Sequence, residues 1–109
     1  MLEPIFGNGT VEKVLLFLLV HQEAYARELA RAFSVPISVI QKQLVRLERG
    51  GVLVSTTKGR TRLFRINPVY PFIQELTALL RHATDFIPVA DRGPFEPRRT
   101  RPRATGKPV

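Results

Sequence analysis

Four polar side chains, Ser38, Gln41, Lys42 and Arg46, fall at helical spacing on one side of a short segment of this 109-residue chain. The chemistry they share is hydrogen bonding to flat, edge-on partners. A glutamine amide suits adenine, a lysine or arginine suits guanine and a serine accepts either, each good contact discriminating between bases by about 1–3 kcal/mol. Just downstream, Lys58, Arg60 and Arg62 crowd around Gly59. Cations so placed suit phosphate oxygens or a narrow minor groove. From Gln41 to Arg65 there are seven cations (Lys42, Arg46, Arg49, Lys58, Arg60, Arg62, Arg65) against one anion, Glu48, a net of +6. Gln43 and Val45 lie at the margin of the same face, and Arg27 and Arg31 stand upstream as candidate backbone contacts or as partners for Glu23 and Glu28.

The elements that must hold these groups are legible on either side of them. Arg27 to Phe33 reads as a short helix with Leu29, Ala30 and Phe33 on one face. Ser34-Val35-Pro36 breaks it. A second helix is predicted over 36–49, with Ile40, Leu44 and Leu47 forming its apolar stripe and the polar set above facing away. Gly50-Gly51 ends that helix, because glycine takes the left-handed conformation that closes a last turn. Val52–Thr56 and Arg62–Ile66 alternate and are rich in β-branched and aromatic residues, so they read as strands joined by the basic loop Thr57–Thr61.

In this order the elements resemble a winged helix-turn-helix, specifically the ArsR/MarR-like DNA-binding regulators. The resemblance is carried by Ala26-Arg27-Glu28-Leu29-Ala30, by Ile40 through Glu48, by Gly51-Val52-Leu53 and by the basic hairpin, and with its flanks it covers roughly residues 5 to 83. Two positions depart from the pattern: Pro36 stands where a serine or threonine cap is usual, and Ser34 where the turn often has glycine. The resemblance implies a mainly helical α+β fold of three helices, a two-stranded wing and a C-terminal helix. It further implies a transcriptional regulator that lays helix 36–49 in the major groove of double-stranded DNA and wing 57–62 on the flanking backbone or minor groove. It also implies a homodimer built from the first and last helices.

Apolar surplus in those two helices agrees. Val11, Val14, Leu15, Leu18 and Leu19 form one stripe of the first helix and Leu16, Phe17 and Val20 a second. A helix apolar all round needs cover all round, from the last helix or from a second subunit. The last helix, signalled by Asn67-Pro68 with Pro71 able to delay its start, carries Phe72, Ile73, Leu76, Leu79, Leu80 and Ala83 on one side. The expected dimer surface is therefore Leu16, Phe17, Val20, Phe72, Leu76, Leu79 and Leu80. Both helices closing on a single core is the competing expectation.

Composition sets the outer bounds. The chain has a formal charge of +8 and an isoelectric point near 11.1, which favours polyanionic partners. Residues 1–84 are expected to form the domain and 85–109 a disordered basic tail, since residues 88–109 hold five of the nine prolines and six cations without apolar periodicity; docking of Phe86-Ile87-Pro88-Val89 on the domain is the alternative. The longest apolar run, Val14–Val20, falls far short of the ~20 residues a membrane span needs; with no secretory signal visible, a cytoplasmic, membrane-free protein is expected. The absence of cysteine removes disulfides and thiolate metal sites, including the metal-thiolate sensing of ArsR-type repressors. His21 and His82 stand alone near helix ends, no carboxylates are paired for acid–base work, and Gly7-Asn8-Gly9 is no phosphate loop. No enzyme, cofactor or metal is expected. Two rivals share these residues: a winged-helix module that binds a protein partner such as a neighbouring enzyme, and a non-specific nucleic-acid binder driven by its tail.

Overall fold

The helix that is apolar on every side becomes the axis of the molecule. In a computed structural model that describes residues 1–96, the elements are α1 (Glu3–Phe6), α2 (Gly9–His21), β1 (Ala24–Tyr25), α3 (Ala26–Phe33), α4 (Ile37–Arg49), β2 (Leu53–Lys58), β3 (Thr61–Ile66) and α5 (Ile73–Thr84). Two single-turn 3-10 segments, Val89–Asp91 and Gly93–Phe95, follow. Helix α2 starts where the Asn8 side chain accepts the Val11 N–H at 2.8 Å, a cap that supplies a partner to one of the free amides of its first turn. Val11 and Val14 through Leu18 are all buried. Around them close Leu29 of α3, Ile40 and Leu44 of α4, Leu53 and Phe64 of the sheet and Leu80 of α5. The fold is mainly helical α+β, as expected from the sequence.

Helix α3 ends on Ser34, whose φ of 54° and ψ of 45° are left-handed, while the Val35 N–H reaches back to the Ala30 carbonyl at 3.0 Å. A side chain other than glycine is costly there, which is why this turn often carries glycine. Pro36, with φ −55° and ψ 139°, is the extended residue before α4 and not its first turn, so the helix opens at Ile37. Its far end closes on Gly51, at φ +80°, with the Val52 N–H on the Leu47 carbonyl at 2.9 Å and the Gly51 N–H on the Glu48 carbonyl at 3.0 Å. That pairing satisfies the last carbonyls of the helix and turns the chain directly into β2.

Strands β2 and β3 pair antiparallel from Leu53↔Ile66 to Lys58↔Thr61. The hairpin tip is therefore only Gly59 and Arg60, with Gly59 at φ +64°, and both strands run further than their alternating pattern indicates. A third strand joins them: β1 pairs with β3 through Ala24↔Phe64 and Tyr25↔Leu63, giving the order β1-β3-β2. Asn67 leaves the sheet by donating from Nδ2 to the Gly51 carbonyl at 2.9 Å and accepting the Val69 N–H at 3.1 Å. Pro68 and Pro71 occupy the following turns, and α5 starts only at Ile73.

The largest difference from the sequence expectation is at the C-terminus. Residues 85–96 are not a separate tail but pack on the domain. Ile87 is buried, the Arg92 Nε donates to the Ile87 carbonyl at 2.9 Å, and Phe95 meets the Phe33 ring at 5.5 Å between centroids. Phe33 in turn stands edge-on to Phe17 at 5.9 Å, and the His21 Nε2 donates to the Pro94 carbonyl at 2.8 Å. Proline content hid this: the apolar residues that dock are single and separated by turns, so no periodic signal announces them. The remainder of the expected tail, residues 97–109, lies outside the described residues.

Two substitutions test these features by urea denaturation. Ser34→Gly is expected to stabilise the fold by about 0.5 kcal/mol and Ser34→Val to destabilise it by about 1 kcal/mol or more, because only the backbone conformation is at stake. Phe95→Ala is expected to cost about 1–2 kcal/mol with the denaturant slope unchanged, since an aromatic contact and its burial are lost.

Candidate nucleic-acid interface

Strand β1 ends where α3 begins, so pairing β1 to β3 sets the start of α3 against the inner side of the hairpin. Helix α4, anchored by Ile40 and Leu44 in the core, closes the third side. Between the three runs a groove of about 650 Å³. From α3 and its approach it is lined by Tyr25, Ala26, Arg27, Glu28 and Arg31; from α4 by Ile37, Gln41, Leu44 and Val45; from the hairpin by Arg60, Thr61, Arg62 and Phe64. The Glu28 carboxylate is tied locally, accepting the Tyr25 N–H at 2.8 Å. Lys42, Lys58, Arg60, Arg27 and Arg31 are exposed, and none of them makes an ion pair among the described residues.

The polar set on α4 does not act from one line. At about 100° per residue, Gln41 and Arg46 are separated by roughly 140° around the helix, with Ser38 and Lys42 between them. Gln41 lines the groove, and Ser38 and Lys42 are exposed on the outward ridge. Arg46 sits on the far flank, where its Nη1 donates to the Gln43 Oε1 at 3.0 Å. Gln43 itself is buried, at 7% exposure, and belongs to the packing side of the helix. Lys58 ends β2, on the other side of Gly59 from Arg60, and does not line the groove. Tyr25, Ile37 and Thr61 line it although their residue types gave no signal; the two-residue strand β1 is what brings Tyr25 there.

Arg62 differs most from expectation. Its Nη2 donates to both Glu48 carboxylate oxygens, at 2.6 and 2.8 Å, and to the Ser55 hydroxyl at 2.7 Å. Ser55 donates to Glu48 at 2.7 Å, and the guanidinium lies 5.4 Å from the Phe64 ring centre. Arg62 therefore joins the last turn of α4 to the hairpin in place of standing free for a phosphate. The cause is geometric: Arg62 projects from β3 across β2, past Ser55, to the Glu48 carboxylate at the end of α4.

The expected dimer surface divides in the same way. Leu16, Phe17 and Leu80 are buried in the chain's own core, covered by α5 and by the aromatic stack of Phe33 and Phe95. They have no surface left for a second subunit. Val20, Leu76 and Leu79 remain half-buried and Phe72 is 61% exposed. The two histidines make separate contacts: His21 with the Pro94 carbonyl, His82 with the Phe86 ring at 5.3 Å between centroids. Among the described residues no cluster of three or more metal-ligating side chains occurs, and no helix is long and apolar enough to cross a membrane.

Solved structures share this fold. Reduced HlyU from Vibrio cholerae N16961 superposes with a TM-score of 0.61 at 18% identity, over 78% of this chain and 83% of that one. The adhesin competence repressor AdcR of Streptococcus pyogenes gives 0.57 at 19% identity, over 70% of this chain. The match spans 57% of AdcR, little more than half its length. At these identities the likeness shows the fold, which is that of a winged helix. No family model and no curated protein matches the chain.

The Glu48–Arg62 contact makes a measurable claim. It is half exposed, so its coupling should be modest: a double-mutant cycle of Glu48→Ala and Arg62→Ala, read by urea midpoint, is expected to give about 0.5–1 kcal/mol. A coupling indistinguishable from zero would remove it as a tether of the wing.

Proposed function

We propose that this chain is a DNA-binding transcriptional regulator. It presents α4 to the major groove and wing residues 57–62 to the flanking backbone or minor groove. The observation that carries this reading is the convergence of two neighbouring elements on one groove whose rim is cationic. Gln41 and Arg60 face it from opposite walls, Arg27 and Arg31 from the third, and Lys42 stands exposed beside it. A duplex is a polyanionic rod with base edges in its major groove, and this surface offers cations for its phosphates and an amide for its bases. The fold shared with HlyU and with a named repressor, AdcR, supports the regulatory assignment.

Ser38, Gln41 and Lys42 are the base-reading residues in this proposal, with Arg46 at the edge of reach. Lys58 and Arg60 are the wing contacts, and Arg62 holds the wing in place. The protein acts in the cytoplasm as a homodimer in which Val20, Phe72, Leu76 and Leu79 meet a second copy. Such a dimer takes an inverted repeat with half-sites about 34–36 Å apart.

Selection from random duplexes followed by anisotropy titration tests the proposal. At ~0.15 M salt the selected site is expected to exceed random DNA by at least about a thousandfold. Alanine at Gln41 or Lys42 is expected to weaken the selected site by about tenfold to a hundredfold while leaving random DNA less affected. Alanine at Lys58 or Arg60 is expected to weaken both alike and to make the salt dependence shallower by about 0.9 in log–log slope. No duplex exceeding random DNA would contradict the reading.

A further inference from the structure

Part of the outward surface of α4 is aliphatic. Ile37 is 40% exposed and Val45 is 39% exposed, although the helix has an adequate core stripe in Ile40, Leu44 and Leu47. Single exposed apolar residues are ordinary, but these two are not scattered. Ile37, Gln41 and Val45 are four apart, line the same groove and form one strip along the helix, spaced by about 6 Å at a rise of ~1.5 Å per residue. From Ile37 to Val45 is thus about 12 Å, the height of three to four stacked base pairs at ~3.4 Å each.

Aliphatic side chains carry no donor or acceptor, so they distinguish base edges by one feature only, the C5 methyl of thymine in the major groove. Gln41, between them, is matched to adenine N6 and N7. We propose that Ile37 and Val45 are specificity-determining residues that each pack on a thymine methyl, on either side of an adenine held by Gln41, so that the half-site has an A·T core. This deepens the DNA assignment above and rests on it. Charge favours a nucleic acid over a protein as the occupant: Arg27, Arg31 and Arg60 share the groove with the strip.

Uracil in place of thymine removes that methyl and nothing else from the base edge. Full-length protein is titrated by anisotropy against its selected duplex with each thymine replaced singly by deoxyuridine. At two positions in each half-site affinity is expected to fall about fourfold, the worth of one buried methyl. Val45→Ala is expected to fall by a similar factor on the thymine duplex and to show no further loss on the duplex carrying uracil at its position; Ile37→Ala should behave likewise at the other. An unchanged salt dependence on random DNA confirms that each variant is folded. The inference is overturned if uracil is tolerated at every thymine while sequence preference persists, or if the protein and base substitutions multiply as independent losses. A chain that prefers no duplex overturns both this inference and the DNA assignment, and leaves the strip to an apolar side chain of a protein partner.

Discussion

The Gly51 carbonyl, held by the Asn67 amide at 2.9 Å, sits at the corner on which the whole interface depends. Three elements meet there: the end of α4, the start of β2 and the exit of β3. The left-handed Gly51 sends the chain from helix to strand without a loop, and the Asn67 N–H closes the corner on the Val52 carbonyl at 2.8 Å. Further along, Arg62 bridges to Glu48 and Ser55. Each bond is worth little alone, about 1 kcal/mol for a neutral hydrogen bond and less for an exposed ion pair. Together they remove the freedom of a hairpin that would otherwise swing on two glycines, and so fix the distance between its basic tip and α4.

The opposite side of the molecule solves a different problem. Helix α2 has more apolar surface than three neighbouring helices of this length can cover. The chain supplies the deficit itself, by folding residues 85–96 back so that Phe95 extends the Phe17–Phe33 stack and the Pro94 carbonyl accepts a hydrogen bond from His21. A small domain gains most from such additions, because the fraction of its surface that it can bury is low. This cover also changes what is left for assembly. Of the residues expected at a dimer surface, those still open are Val20 and, towards the start of α5, Phe72 with Leu76 and Leu79 partly exposed behind it.

Much of this was legible in the residues. The period of Ile40, Leu44 and Leu47, the paired glycines and the alternating strands identify α4 and the wing because each is long enough to repeat its pattern. Strand β1 is two residues long and the docked C-terminal turns hold single apolar residues, so neither repeats anything; only tertiary pairing defines them. The candidate site was legible as a composition, less so as an arrangement. Residue type marks Arg62 as a phosphate contact, yet its fate is set by Glu48 fourteen positions away. Gln43 reads as polar and marginal to that face, yet helical phase puts it beside Ile40 on the packing side. Val45 reads only as marginal to that face and Ile37 as nothing in particular, and only the groove sets the two in one strip.

The central claim is that α4 and the wing tip engage one duplex as a single surface. Amide chemical-shift mapping of the labelled protein, titrated with its selected duplex, tests it directly. The account predicts that Ser38, Gln41 and Lys42 shift together with Lys58, Gly59 and Arg60 at one common stoichiometry, while the outward residues of α5 stay in place. Shifts confined to α2 and α5, or a wing that responds without α4, would contradict it.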